Sequence, residues 1–147
     1  MIGIKRFENY NRNKLVWIHG LPGSGKTNIA NQINKNKDFI ILDDISNISD
    51  VENELNKGNN IILSSPYFDN YIHLSNDEKL KNILKDFDYE VEEIWFENNP
   101  DQCIQNLKNR TEHKINSAHI IPEVKYFSLK YKIPSSVETI PVWSKNK

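Results

Sequence analysis

The chain has 147 residues, 37% of them apolar and 27% charged, with a net charge of −1. That is enough for one domain with its own core, and the balanced charge excludes a chain that binds nucleic acid by bulk electrostatics. A single cysteine, Cys103, excludes an internal disulfide and a cysteine-based zinc site and suits a reducing cytosol. Residues 1–13 are polar, without a strong period, and Phe7 and Tyr10 are the residues able to anchor them. Met1-Ile2-Gly3-Ile4-Lys5-Arg6 lacks the apolar stretch of a signal peptide, and no run in the chain approaches the ~20 apolar residues of a membrane span.

Lys14-Leu15-Val16-Trp17-Ile18-His19 then reads as a buried strand. It runs into Gly20-Leu21-Pro22-Gly23-Ser24-Gly25-Lys26-Thr27, which fills every fixed position of the phosphate-loop pattern G-x-x-x-x-G-K-[ST]. Glycines there let backbone N–H groups turn inward around a polyphosphate, and the following helix adds free N–H groups and the positive end of its dipole. Lys26 is expected to reach the β- and γ-phosphates of ATP, and the Thr27 hydroxyl to ligate Mg²⁺. Ile29 and Ile33, four apart, mark the helix expected over about 25–36.

Phe39-Ile40-Ile41-Leu42 reads as a second buried strand ending in Asp43-Asp44. A helix is expected over Asp50–Lys57, stopped by Gly58, and then a third buried strand, Ile61-Ile62-Leu63, ending in Ser64-Ser65-Pro66. The next helix spans Ser75–Phe87, with Ser75 as cap and Glu78 closing a capping box. A fourth strand covers Glu90–Phe96. Asn99 and Pro100 then read as N-cap and first residue of a helix that buries Cys103, Ile104 and Leu107. After the cationic segment Lys108–Lys114, Ser117–Tyr131 is helical, with Pro122 expected to break it so that the helix proper starts near that proline. Val137–Trp143 alternates as a last, edge-like strand.

Strands alternating with helices imply an α/β fold: a three-layer P-loop NTPase sandwich of the nucleotide-kinase type, around a mostly parallel five-stranded sheet. Its rim carries residues 20–27, Asp43-Asp44 and the stretch from Ser64 to Phe68. Small size argues against a motor ATPase, and no N-K-x-D motif is present for reading guanine. A carboxylate after strand two can take a proton from an acceptor hydroxyl, and a cation such as Arg110 or Lys114 can neutralise charge on a transferring phosphoryl group. Ser64 and Ser65 stand where an acidic Mg²⁺ partner usually ends the third strand, so base and metal support both fall to the aspartate pair; Asp43 as base with Asp44 as the metal's outer partner is one division of the two duties, and the residues leave it open. Tyr67, Phe68 and Tyr71 fit either core or a stacked acceptor. His73, His113 and His119 show no metal-ligand spacing, and His19 is expected to pack beneath the loop.

Three blocks, Gly20–Thr27, Phe39–Ile45 and Cys103–Arg110, resemble the kinase domain of phage polynucleotide 5′-kinase and the wider group of small P-loop kinases that includes zeta-toxin-like enzymes. The resemblance implies a general base at Asp43, a lid arginine at Arg110, and phosphate and metal contacts from Lys26 and Thr27. It also implies that the turn Trp95-Phe96-Glu97-Asn98-Asn99-Pro100 borders the adenine. The chain departs from that family at Asn106, where a second arginine belongs, and at Ile45-Ser46-Asn47, which lacks the arginine that holds an acceptor phosphate. These departures weaken the case for a polynucleotide 5′-end. A nucleoside, a modified DNA base or a small metabolite is then a plausible acceptor, and an ATP-binding regulatory module without transfer activity is the competing class. The resemblance, with a composition rich in Asn, Lys and Ile, suggests a phage or other viral origin.

Overall fold

The computed structural model describes residues 13–43, 45–65, 74–110 and 117–145. Five strands, β1 (Asn13–His19), β2 (Phe39–Leu42), β3 (Asn60–Leu63), β4 (Tyr89–Phe96) and β5 (Thr139–Ile140), form one sheet in the order β2-β3-β1-β4-β5. Every pairing is parallel. β1 lies at the centre, and Leu15, Val16, Trp17 and Ile18 are buried in succession because helices cover both of its faces. The five helices are α1 (Lys26–Ile33), α2 (Ile48–Lys57), α3 (Leu74–Leu84), α4 (Pro100–Lys108) and α5 (Ser117–Lys130).

The alternation of β1 sorts the core into two sides. Val16 and Ile18 pack with Ala30, Ile62 and Phe96 on the face covered by α1. Leu15 and Trp17 pack with Val51, Leu55, Ile61, Leu63 and Leu80 under α2 and α3. A third cluster on that second side joins Leu21 and Trp95 to Cys103, Ile104 and Leu107 of α4 and to Ile120 and Val124 of α5. The result is the three-layer α/β sandwich of a P-loop NTPase, with the carboxyl ends of all five strands on one rim.

Local signals account for most boundaries. Asn47 caps α2 by accepting from Ser49 N, and Gly58 closes it at φ 73°. Asn99 caps α4 by accepting from Gln102 N, ahead of Pro100. Five expectations are corrected. β2 is an edge strand, half-buried, with Ile40 exposed on its outer side. α1 ends at Ile33 and continues as turns, its C-cap Asn34 accepting at Oδ1 from Phe39 N as the chain enters β2. α3 begins at Leu74, so Ser75 lies in its first turn and not at its cap. α5 is continuous from Ser117 through Pro122. Burial of Ile120 and Val124 against α4 on either side of the proline offsets the one backbone hydrogen bond lost there. The last strand shrinks to two residues because Pro141 brings no N–H to the ladder and the chain beyond it bonds elsewhere.

Candidate phosphate-loop site

β1 delivers the chain to the loop at the rim. Gly23 (φ 85°) and Gly25 (φ 109°) take left-handed conformations that side chains rarely adopt. Gly23 also has no room to grow: a Cβ there would lie 2.6 Å from the Cys103 carbonyl oxygen. Gly25 is the N-cap of α1, yet no side chain caps that helix and no acidic residue occupies its first turn. An uncapped helix start with left-handed glycines before it is a concave set of donors suited to an anion. Ser24 Oγ is buried here and meets no hydrogen-bond partner among the described residues. Lys26 Nζ folds back along the loop, donating to the carbonyls of Gly20 (2.6 Å) and Leu21 (3.2 Å). Pro22 is half-buried in the loop and Thr27 is exposed at the start of α1.

Asp43 follows β2 on the same rim and is exposed. Ser64 Oγ, at the end of β3, donates to Asp43 Oδ1 over 3.1 Å. Ser65 Oγ donates to the carbonyl of Ile45. The two serines, read from the sequence as weak substitutes for an acidic metal partner, thus fasten the segment after β2 and fix the Asp43 carboxylate. Asp44 lies outside the described residues, as do Phe7, Tyr10, Tyr67, Phe68, Tyr71, His73, His113 and Lys114. Arg110 is exposed just past the C-cap of α4, its backbone N–H donating to Leu107 O. Among the described residues no group of three or more His, Cys, Asp and Glu side chains could hold a metal ion. The Thr27 hydroxyl is an oxygen donor of the kind that Mg²⁺ prefers.

Two features escaped the sequence. First, Asn106 of α4 donates from Nδ2 to Gly23 O (2.9 Å) and to Trp143 O (2.7 Å). Trp143 N in turn donates to Ser24 O (2.9 Å), and Val142 N to Glu97 Oε1 (3.2 Å). Second, a mostly apolar cavity of about 270 Å³ opens beside the loop, lined in part by Gly25, Ile29, Phe96, Pro141 and Trp143. Of the turn from Trp95 to Pro100, only Phe96 reaches it. The sequence separations of 83 and 37 residues in the Asn106 bonds explain why no local pattern announced them.

His19 is buried beneath the loop as expected, and it is also partnered. Its ring stacks on Trp95 with centroids 3.8 Å apart, and Nε2 donates to Glu93 Oε1 at 3.0 Å. That hydrogen bond, with the His19 charge, holds the Glu93 carboxyl below its usual range against the opposing effect of burial. Tyr131 Oη donates to Phe96 O (2.7 Å) and His19 O (3.2 Å), tying the end of α5 to the rim ends of β1 and β4. Cys103 is fully buried, and desolvation pushes its thiol up to about 11, so it is a core residue.

Loop, parallel sheet and rim define the class: a P-loop NTPase fold. A gluconokinase from Sinorhizobium meliloti 1021 is similar in structure, with a TM-score of 0.51 at 12% identity over 88% of this chain and 81% of that one. No family model matches the chain. Over 129 residues it is 30% identical to uncharacterized protein R277 of Acanthamoeba polyphaga mimivirus, covering 82% of this chain and 87% of that protein. The chain belongs to the family of that viral protein. The likeness to polynucleotide kinases rests on the sequence blocks alone. Among the described residues no helix is long and apolar enough to cross a membrane.

Proposed function

We propose that residues 1–147 act as one ATP- and Mg²⁺-dependent kinase domain that moves the γ-phosphoryl group of ATP to a hydroxyl. The observation that carries this reading is the left-handed glycine loop opening an uncapped helix, with a serine-held carboxylate on the same rim. Residues Gly20, Leu21, Pro22, Gly23, Ser24, Gly25, Lys26 and Thr27 cradle the triphosphate. The apolar cavity at Phe96 and Trp143 takes the base. Thr27 and Asp44 would hold the metal, which would supply positive charge against the triphosphate.

Asp43 accepts the proton of the acceptor hydroxyl as its oxygen bonds to the γ-phosphorus. The bond from that phosphorus to the bridging oxygen breaks, and ADP leaves. Lys26 and Arg110 stabilise the charge on the phosphoryl oxygens in flight. Ser64, by its bond to Asp43 Oδ1, keeps the other carboxylate oxygen turned to the acceptor. The acceptor class is a nucleic-acid hydroxyl (a 5′-end or a modified base) or a nucleoside. A small metabolite is the alternative, and the similar fold of a gluconokinase supports keeping it. Asp43→Asn is expected to lower turnover by about 10²-fold or more while ATP affinity stays within about threefold in calorimetric titration. A variant with near-full turnover contradicts the assignment of the base.

A second reading is an ATP-binding module without transfer. Ser64 and Ser65 in place of an acidic residue favour it, as does Asn106 where the resemblance places an arginine. It predicts ATP binding with no phosphorylated product on any acceptor.

A further inference from the structure

Asn106 occupies the second turn of α4, and its amide nitrogen and oxygen are both used. The two hydrogens of Nδ2 go to two carbonyls, Gly23 O and Trp143 O, while Oδ1 accepts from Gln102 Nε2 at 2.8 Å, one turn back on the same helix. Two carbonyl acceptors require the nitrogen to face them, so the orientation of the amide is dictated by its surroundings, and Gln102 holds it there. Trp143 N closes the figure on Ser24 O. Helix α4, the phosphate loop and the segment after β5 are thus tied pairwise.

Packing leaves the triangle no slack. The Gly23 Cα lies too close to the Cys103 carbonyl for a Cβ to fit, and a Cβ on Gly25 would lie 2.8 Å from Trp143 Cβ. A movement of the loop on taking up phosphate would bear on Trp143 through its bond to Ser24 O and this close packing, and Trp143 is a wall of the apolar cavity. We infer that Asn106 is a positioning residue that couples occupancy of the phosphate loop to the shape of the cavity at Trp143. The inference rests on the reading of residues 20–27 as the polyphosphate site. The neutral amide is spent on the protein's own carbonyls, holding the loop to the tail.

The test uses the full chain labelled with ¹⁵N on tryptophan and titrated with tripolyphosphate, which fills the loop without touching the base cavity. The indole resonance of Trp143 is identified by its loss in Trp143→Phe. In the wild type, tripolyphosphate shifts that resonance. Asn106→Asp keeps the shape and the acceptor for Gln102 but removes both donors. It is expected to bind tripolyphosphate about tenfold more weakly, part of that being repulsion by the new carboxylate beside the loop, so the coupling is read from the Trp143 shift at saturation and from the uncharged Gln102→Leu. It is also expected to show less than about half the Trp143 shift at saturation, a fraction set by losing one of the two ties between loop and tail. Gln102→Leu, which only frees the amide to turn, gives an intermediate effect and serves if Asn106→Asp does not fold. A folded variant with wild-type affinity and the full Trp143 shift overturns the coupling and leaves the kinase reading intact. Failure of the wild type to bind either ATP or tripolyphosphate overturns both.

Discussion

At the scale of single residues, the site is built from side chains whose role depends on a partner far away in sequence. Asp43 is an exposed carboxylate, one of whose oxygens is held by Ser64, 21 residues on. Glu93 shows the same dependence with a pH consequence. His19 holds its carboxyl below the ordinary value of 4.5 through the Nε2 hydrogen bond. A carboxylate depressed in the folded state contributes stability at pH above its unfolded value, and that contribution is lost as pH falls through the folded value. Glu93→Gln is therefore expected to lower the melting temperature at pH 7 and to flatten its decline below about pH 4.5. Parallel melting curves of variant and wild type from pH 7 to pH 3 would show that the pair contributes nothing. Motif residues such as Gly23, Lys26 and Thr27 were legible in sequence because the pattern is contiguous. Asp43 was legible because it ends an apolar run. Ser64 was seen, but its use was not, because a hydrogen bond between two strand ends leaves no periodic trace.

At the scale of elements, the strands and most helices follow from apolar runs and caps that lie next to one another in the chain. Asn47, Gly58, Asn99 and Pro100 all sit where local chemistry puts them. The misreadings occur where tertiary contact overrides local preference. Pro122 was expected to break a helix that the packing of Ile120 and Val124 carries through. Val137–Trp143 alternates like a strand, yet the bonds of Val142 to Glu97 and of Trp143 to Ser24 draw its end away from the sheet. The loop itself is an element with a packing requirement as well as a φ requirement. Gly23→Ala combines a left-handed residue with a Cβ 2.6 Å from backbone, and is expected to cost about 2 kcal/mol or more and to weaken ATP binding at least about tenfold through displacement of the loop's donors. Gly58→Ala makes the contrast: it is equally left-handed (φ 73°), but its nearest neighbour would be Asn13 Nδ2 at 3.4 Å. It should cost about 1 kcal/mol and leave ATP binding unchanged. Chemical denaturation and calorimetry of the two variants separate strain from clash. Equal effects of both on ATP binding would contradict the packing argument.

At the scale of the whole molecule, one sheet with all strands parallel brings residues 20–27, Asp43, Ser64 and the segment ending at Trp143 to a single rim. The chain order alone could place the first three there, since strands alternating with helices run parallel and end together. It could not show that the last is fastened to the loop, because the Asn106 Nδ2 and Trp143 N bonds that do so lie outside the sheet. The fold is that of a P-loop NTPase, and the family is that of a viral protein. A fold hosts many chemistries, so activity has to be established at the site.

The most direct test of the central claim is transfer of label from γ-labelled ATP with Mg²⁺, using Lys26→Ala as control. The acceptor panel holds 5′-hydroxyl oligonucleotides of DNA and RNA, hydroxymethylated DNA, nucleosides, nucleoside monophosphates and sugar acids. Label is expected on a hydroxyl of one of these acceptors and is absent with Lys26→Ala. ATP bound by the wild type with no label on any acceptor would contradict this and favour the binding module.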